Sequence, residues 1–179
     1  MKHPLRAATL AVAVVLVGLA VLLASQVHND PSFAGSNMNG KTLPTFDLPA
    51  LSGSAHIRSA DLQGKVVLVN FWNSWCIPCQ QEHAALAAFY ARHRNDGDVE
   101  MIGIVRDDTA GAARTWVRDH HDGWVFATDP GGQAALGFGT TGQPESFMVA
   151  PSGVIAAYLR SPASIDNLEA MLAAARRVA

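Results

Sequence analysis

The sequence predicts one α/β domain, and three features of its pattern support that class. Apolar, β-branched runs alternate with longer segments whose apolar residues recur at the helical period. The run Val66–Trp72 is almost continuously apolar, which is typical of a central strand buried on both faces. Two short apolar runs, residues 146–150 and 154–159, flank a Pro-Ser-Gly turn and predict a hairpin.

The composition excludes some classes of partner. The chain has 179 residues, a formal net charge of −2 and 16% charged residues. This length holds one domain with a sizeable core. Because the charge balance supplies no basic patch, we expect no nucleic-acid partner. The apolar fraction of 49% is high for a soluble domain, and part of the excess lies at the front of the chain.

The front of the chain predicts an exported protein. Residues 1–6 carry one Lys and one Arg, and residues 7–24 carry no charge. That apolar length fits a short transmembrane anchor or the core of a signal peptide, and the poor cleavage site favours a retained anchor. The preceding positive charge predicts a cytoplasmic N-terminus with the rest of the chain outside. Residues 25–42 are polar and rich in Gly, Ser and Asn, which indicates a flexible tether before a domain over residues 43–179.

Strands and helices then alternate along the domain. Residues 43–48 alternate apolar and polar side chains, and Pro49 ends the run. Asp108 or Thr109 is the expected cap of the second helix, and Ser164 that of the last. The predicted strands are Val66–Trp72, Val99–Val105 and residues 125–127, 146–150 and 154–159. The predicted helices cover residues 76–95, 109–120, 129–136 and 164–178.

The chemistry is concentrated in the only two cysteines of the chain, Cys76 and Cys79. Residues three apart share a helix face, so the two sulfurs can close a small disulfide loop. Cys76 falls at the helix start, where unpaired N–H groups and the helix dipole favour a thiolate, and it is the predicted attacking sulfur. Cys79, one turn further on, would resolve the mixed disulfide. Pro78 is tolerated because the first turn does not need its N–H.

Other uses of a cysteine pair fit poorly. A structural zinc site needs four ligands, and His83 is the only histidine close by. Covalent haem attachment would require a histidine where Gln80 stands. Two cysteines cannot hold a four-cysteine iron–sulfur cluster. We therefore expect a redox-active Cys76–Cys79 disulfide and neither a metal nor a cofactor.

The stretch Asn-Phe-Trp-Asn-Ser-Trp-Cys-Ile-Pro-Cys-Gln-Gln-Glu-His, residues 70–83, resembles the active-site region of membrane-tethered extracytoplasmic thioredoxin-like proteins. Within the TlpA/ResA type it is most similar to the cytochrome c maturation group (CcmG/DsbE). Cytoplasmic thioredoxins carry a buried acid at the position of Asn70, and this departure fits the tethered group. The resemblance implies a thioredoxin-like fold, in which a central mixed sheet is flanked by helices. It also implies an N-terminal hairpin and short helix over residues 43–64 and an α/β insertion over residues 109–136.

The same resemblance implies further site residues. Pro144 would be the cis-proline opposite the cysteines, and the backbone of Gln143 would pair with an extended substrate. Trp75 would cover one side of the dithiol. Glu145 follows the proline as in the cytochrome c maturation group, and burial near Cys79 would suit it to proton exchange with that thiol. The alternative for Glu145 is a solvated acid at a strand edge.

Several neighbouring residues receive plainer interpretations. Glu82 lies three residues after Cys79, on the same helix side, but the sequence assigns no catalytic role to it or to His83. His120 and His121 are adjacent on a helix and are expected to be solvated. Packing roles are expected for Trp72, Trp116 and Trp124.

These features predict a thiol:disulfide oxidoreductase held on the extracytoplasmic side of the cell membrane. By resemblance it would be a reductant that keeps the haem-binding thiols of apocytochrome c, or of a maturation partner, reduced. A membrane electron donor would recharge it. The runner-up is an oxidase for exported proteins, because the residues between the cysteines do not fix the direction. A metal-binding module that uses the two thiolates is less favoured, and a peroxiredoxin would need a different cysteine motif.

Overall fold

The computed structural model describes residues 12–19, 21, 38–120 and 123–178. The chain divides into two compact units, Met1–Ala34 and Gly35–Ala179. In the first unit, residues 12–19 and 21 are helical and exposed. No helix within the described residues is long and apolar enough to cross a membrane. The rest of the predicted anchor, and the tether up to residue 37, lie outside the described residues.

The second unit alternates strands and helices in the predicted order. Its strands are β1 (Asp47–Pro49), β2 (His56–Arg58), β3 (Val66–Trp72), β4 (Val99–Val105), β5 (Val125–Thr128), β6 (Glu145–Val149) and β7 (Ile155–Leu159). Its α-helices are α1 (Ile77–His93), α2 (Ala110–His120), α3 (Gln133–Gly137) and α4 (Ile165–Arg177), and a 3-10 turn covers Ser59–Leu62.

A five-stranded mixed sheet in the order β5-β4-β3-β6-β7 forms the centre of this unit. β3 pairs in parallel with β4 and antiparallel with β6. β5 and β7 are the edge strands of this sheet, and β1 and β2 form a separate antiparallel pair. This arrangement confirms the predicted central mixed sheet with an N-terminal hairpin and an inserted α2–β5–α3 segment.

Alternation along β3 supplies two hydrophobic cores, because successive strand side chains point to opposite faces. One core holds Leu68 and Trp72 together with residues of α1, α2 and α4. The other holds Val67, Val69 and Phe71 together with residues of β1 and α3. Every residue of β3 is buried, so this strand is fixed from both sides.

The helix caps follow the sequence closely. The Ser164 hydroxyl accepts the backbone N–H of Asn167, and the Asn167 side-chain oxygen accepts the backbone N–H of Ser164. This capping box satisfies donors that the first turn of α4 leaves unpaired. At α2, the Thr109 hydroxyl accepts the N–H of Ala112 at 3.1 Å. Of the two predicted caps, Thr109 is therefore the one the structure uses.

Two predicted boundaries are wrong. Pro49 lies inside β1, opposite His56, and it is tolerated because a two-stranded edge does not use its missing N–H. The predicted tether over residues 25–42 ends earlier than expected. The Gly40 N–H donates to the Ile155 carbonyl at 2.9 Å, and the Ile155 N–H donates to the Lys41 carbonyl at 2.8 Å. Residues 38–42 are therefore bound to the start of β7, and Met38 is buried in the second core.

Gly103 in β4 has no room for a side chain. A Cβ there would lie 2.6 Å from two ring carbons of Phe126 and 3.0 Å from Nε1 of Trp72. We expect Gly103→Ala to lower the unfolding free energy by roughly 1–3 kcal/mol, because two buried aromatic rings must shift. Gly111→Ala in α2 is the matched control, since no atom lies within 4 Å of its Cβ position and alanine favours the helix. Urea unfolding of both variants checks this, and an unchanged midpoint for Gly103→Ala would contradict it.

Candidate active site

The dithiol lies where β3 passes into α1. Cys76 is the N-cap of α1, and its sulfur accepts the Cys79 N–H at 3.1 Å. The two cysteines form a disulfide with an S–S distance of 2.07 Å. The predicted pairing is confirmed, and a backbone donor of the first helical turn points at the sulfur predicted to attack.

The sulfurs are nearly buried beneath an exposed apolar rim. Cys76 and Cys79 are 4% and 5% exposed, whereas Trp75 and Ile77 are 61% and 66% exposed. The Trp75 indole N–H donates to the Asp107 carbonyl at 3.1 Å, which holds the ring beside the dithiol. A substrate must therefore approach along the rim to reach Cys76.

The end of β4 holds the turn that carries the dithiol. The Asp108 carboxylate accepts the Ser74 N–H at 2.7 Å, and the Asn73 amide donates to the Arg106 carbonyl at 3.2 Å. Asp107, which lies between these two partners, adopts a positive φ of 54°. Parallel pairing of β3 and β4 brings these carboxyl ends together, so the turn is bound along its length.

A second segment faces the cysteines from the start of β6. The Gln143–Pro144 peptide bond is cis, as predicted. The Gln143 carbonyl oxygen lies 3.8 Å from the Cys76 sulfur, and Pro144 is buried behind it. The structure thus brings together the predicted residues Trp75, Cys76, Gln143 and Pro144.

An open groove of about 730 Å³ adjoins this site. Its lining includes Asp107 and Asp108, which contact the turn before the dithiol, and also Leu136 and Thr140. Leu136 is a large apolar side chain exposed on α3. The groove therefore offers both acidic and apolar contacts next to the rim.

Glu82 is a functional candidate to which the sequence assigns no role. It is 1% exposed on α1, one helical turn after Cys79. Its Oε1 accepts from the Asn70 amide at 2.8 Å and its Oε2 accepts the Ala163 N–H at 2.7 Å. Burial raises the pKa of Glu82 from 4.5 to about 7, although both hydrogen bonds lower it. The signals that could have found it are its spacing from Cys79 and the missing acid at Asn70.

Glu145 lies on the opposite face of the sheet from this network. Asn70 pairs with Ser146 across β3 and β6, and the Asn70 amide donates to the Ser146 hydroxyl at 3.0 Å. Because strand side chains alternate, Glu145 points to the other core. It is 1% exposed there, so it is not a solvated strand-edge acid. The structure does not bring Glu145 into the network of Asn70 and Glu82, which shares a core face with Cys79.

The remaining predicted packing residues meet beneath the dithiol. Trp72 lies 5.0 Å from Trp116 and 5.5 Å from Phe126 between ring centroids. His83 lies 4.7 Å from the Trp116 ring, so it belongs to this aromatic cluster. His120 is exposed but stacks on Trp116 at 3.8 Å, which corrects the prediction of a freely solvated side chain. His121 lies outside the described residues.

Known proteins are similar to this chain in sequence and in fold. Residues 39–158 match the AhpC/TSA family. The chain is 36% identical over 138 residues to the thiol:disulfide interchange protein DsbE of Pseudomonas fluorescens biotype C, covering 76% of this chain and 75% of that protein. It is 34% identical over 141 residues to the thiol:disulfide interchange protein HelX of Rhodobacter capsulatus, covering 78% and 77%.

A solved structure supports the same assignment. The structure of a DsbE-type protein from Chlorobium tepidum aligns with a TM-score of 0.70 at 27% identity, covering 78% of this chain and 99% of that one. The chain therefore belongs to the AhpC/TSA family, among its thioredoxin-like thiol:disulfide oxidoreductases.

Proposed function

We propose that this protein is an extracytoplasmic reductant that delivers electrons from Cys76 and Cys79 to disulfides in exported polypeptides. The supporting observation is the placement of Cys76 between an N–H donor of α1 and the carbonyl of Gln143, with Cys79 one turn behind. The preferred substrate is the disulfide formed between the haem-binding cysteines of apocytochrome c, or a disulfide of a protein that handles them. That choice follows the resemblance of residues 70–83 to the cytochrome c maturation group.

The reaction proceeds in two exchanges of sulfur partners. The Cys76 thiolate attacks one sulfur of the substrate disulfide, which forms a mixed disulfide and releases the other substrate sulfur as a thiolate. Cys79 then loses its proton and attacks the Cys76 sulfur. The Cys76–Cys79 disulfide forms and the second substrate thiolate leaves. Two electrons have passed to the substrate, each released thiolate takes up a proton, and a membrane electron donor restores the dithiol.

Glu82 is the proposed proton acceptor for Cys79. It shares a helix face with that cysteine, and its raised pKa of about 7 matches an acid that exchanges protons near neutral pH. The Asn70 amide and the Ala163 N–H hold its two oxygens in place. Proton transfer therefore occurs in the buried layer beneath the dithiol, away from the rim that contacts the substrate.

The rim and groove are suited to an extended polypeptide. Trp75 and Ile77 expose large apolar surfaces beside Cys76, and the Gln143 backbone borders the same sulfur. The lining of the groove includes Leu136 and also Asp107, whose carbonyl holds the Trp75 ring. A polypeptide bound along it would place its disulfide over Cys76 and its neighbouring side chains in the groove.

We place the domain outside the cytoplasmic membrane, on an anchor over residues 7–24, where a dedicated reductant has a use because the compartment is oxidising.

The reduction potential of the Cys76–Cys79 pair tests the direction of the reaction. We expect a value well below about −200 mV, toward the thioredoxin end of the scale. Equilibration of residues 38–179 with dithiothreitol buffers, followed by tryptophan fluorescence, measures it. A value near about −120 mV would mark a strong oxidant and contradict the proposal.

The order of attack is tested by trapping the mixed disulfide. Reduced Cys79→Ser, mixed with an oxidised Cys-x-x-Cys-His peptide, should accumulate a covalent adduct through Cys76, because no second thiol releases it. Cys76→Ser is the matched control and should accumulate none, since its remaining sulfur lies one turn into α1 and not at the N-cap that borders the Gln143 backbone. Non-reducing mass spectrometry detects the adduct. Adduct formation by Cys76→Ser alone would reverse the assigned roles.

The buried carboxyl of Glu82 predicts a pH-dependent stability. Its folded pKa of about 7 lies above the ordinary value of 4.5, so the folded state binds an extra proton between these pH values. The unfolding free energy should therefore fall as pH rises from about 5 to about 8, by up to roughly 3 kcal/mol. Urea unfolding of the oxidised protein across this range measures the slope.

Two variants isolate the contribution of Glu82. Glu82→Gln should lose most of the slope, whereas Glu100→Gln, which changes a half-buried acid paired with Lys65, should keep it. Hydrogen bonds to Asp96 and Glu169 outweigh burial and raise the pKa of His93, which adds a slope of the same sign. The difference between the wild type and Glu82→Gln removes that background. A slope that survives Glu82→Gln in full would exclude the assigned protonation.

A further inference from the structure

Glu145 makes an unusual number of contacts for one buried carboxyl. Its Oε1 accepts from the Thr141 N–H at 3.0 Å, the Thr141 hydroxyl at 3.0 Å and the Gly142 N–H at 3.1 Å. Its Oε2 accepts from the Tyr158 hydroxyl at 2.8 Å. Both oxygens are therefore occupied by donors, and three of the four bonds hold the two residues immediately before Gln143.

β7 supplies the fixed end of this arrangement. The Arg160 Nε donates to the Tyr158 hydroxyl at 2.8 Å and lies 3.6 Å from Glu145 Oε1. The Arg160 guanidinium also lies over the Tyr158 ring, 5.6 Å from its centroid. Burial raises the pKa of Tyr158 to about 12, so the phenol keeps its proton and remains the donor to Glu145. Arg160 supplies the positive charge that compensates a buried carboxylate.

We propose that Glu145 is a positioning residue, and that with Tyr158 and Arg160 it clamps residues 141–143 so that the Gln143 backbone is held against Cys76 for an incoming polypeptide. This inference rests on the proposed function and assigns Glu145 a role different from the proton exchange that the sequence suggested. Two observations support the new role. Glu145 lies on the sheet face opposite Asn70 and Glu82, and its carboxyl accepts four hydrogen bonds. A carboxylate acts as an acceptor only, and hydrogen bonds to a charged acceptor are the strong ones.

A clamp and a proton carrier make different kinetic predictions. The clamp acts on a substrate that needs the Gln143 backbone, so its loss raises KM for a polypeptide disulfide. It leaves the reaction with a small disulfide unchanged, because that substrate forms no backbone pairs. It also leaves the Cys76–Cys79 potential and the pH profile of kcat unchanged. Loss of a proton carrier would instead lower kcat for both substrates and shift the profile.

The experiment compares two disulfides on the full chain. One is an oxidised peptide with a Cys-x-x-Cys-His loop and extended flanks, and the other is bis(2-hydroxyethyl) disulfide. We expect Glu145→Ala and Tyr158→Phe to raise KM for the peptide by about tenfold, the effect of one or two lost hydrogen bonds. Glu145→Gln retains a carbonyl acceptor for the loop and should recover part of the loss. Rates with the small disulfide should stay within twofold of the wild type.

Matched controls separate the clamp from a general loss of stability. Tyr90→Phe removes another tyrosine hydroxyl that bonds to a loop, at Gly123, and Glu100→Gln neutralises an acid on β4. Neither change should alter KM. If Glu145→Ala fails to fold, Tyr158→Phe and Glu145→Gln decide the question. Unchanged peptide KM in all clamp variants, or equal losses with both disulfides, would overturn the clamp. A wild-type protein that reduces neither disulfide would instead overturn the proposed function.

Discussion

Burial of β3 on both faces is the constraint on which the site depends. Six of its seven side chains are apolar and fill the two cores, and the seventh, Asn70, must find polar partners in the interior. It donates to Glu82 of α1 and to Ser146 of β6. Those two bonds connect the helix that carries the dithiol to the strand that follows Pro144. The polar centre of the sheet thus fixes both sides of the active site relative to each other.

The sheet separates two buried carboxyls and so separates two tasks. Within the described part of the chain Glu82 accepts from two donors, and burial is the largest influence on its pKa, which keeps a proton available near neutral pH. Glu145 accepts four hydrogen bonds and has an arginine nearby, which suits a carboxylate that organises backbone. One acid therefore belongs to the chemistry of Cys79 and the other to the shape of the loop facing Cys76. Their neighbours decide the assignment, since the residue type is the same.

Local pattern predicted most of the fold and the position of the dithiol. The central strand, the dithiol at a helix start and the cap at Ser164 each depend on residues close in sequence, whereas the cis bond at Pro144 was implied by the family resemblance. The sequence does not reveal that Glu82 is buried, because its burial depends on Ala163, which lies 81 residues away along the chain. The sequence does not show which face of the sheet Glu145 occupies, because strand register is invisible in sequence and a slip of one residue exchanges the faces. The predicted tether extends too far along the chain, because the pairing of residues 40 and 41 with β7 is likewise non-local.

The division between buried sulfur and exposed rim explains why the motif identifies the reaction but not the substrate. The dithiol, Asn70 and Glu82 are almost fully buried, so beyond the Cys76 sulfur that exchanges partners they offer little surface for recognising a substrate. Recognition is left to Trp75, Ile77 and the groove beyond them, where side chains can change without disturbing either core. Contacts at the rim contribute to substrate binding but take no part in the exchange of sulfur partners. The choice of substrate can therefore change separately from the reduction potential of the Cys76–Cys79 pair. A chain can therefore retain the exchange reaction while its rim is adapted to one polypeptide.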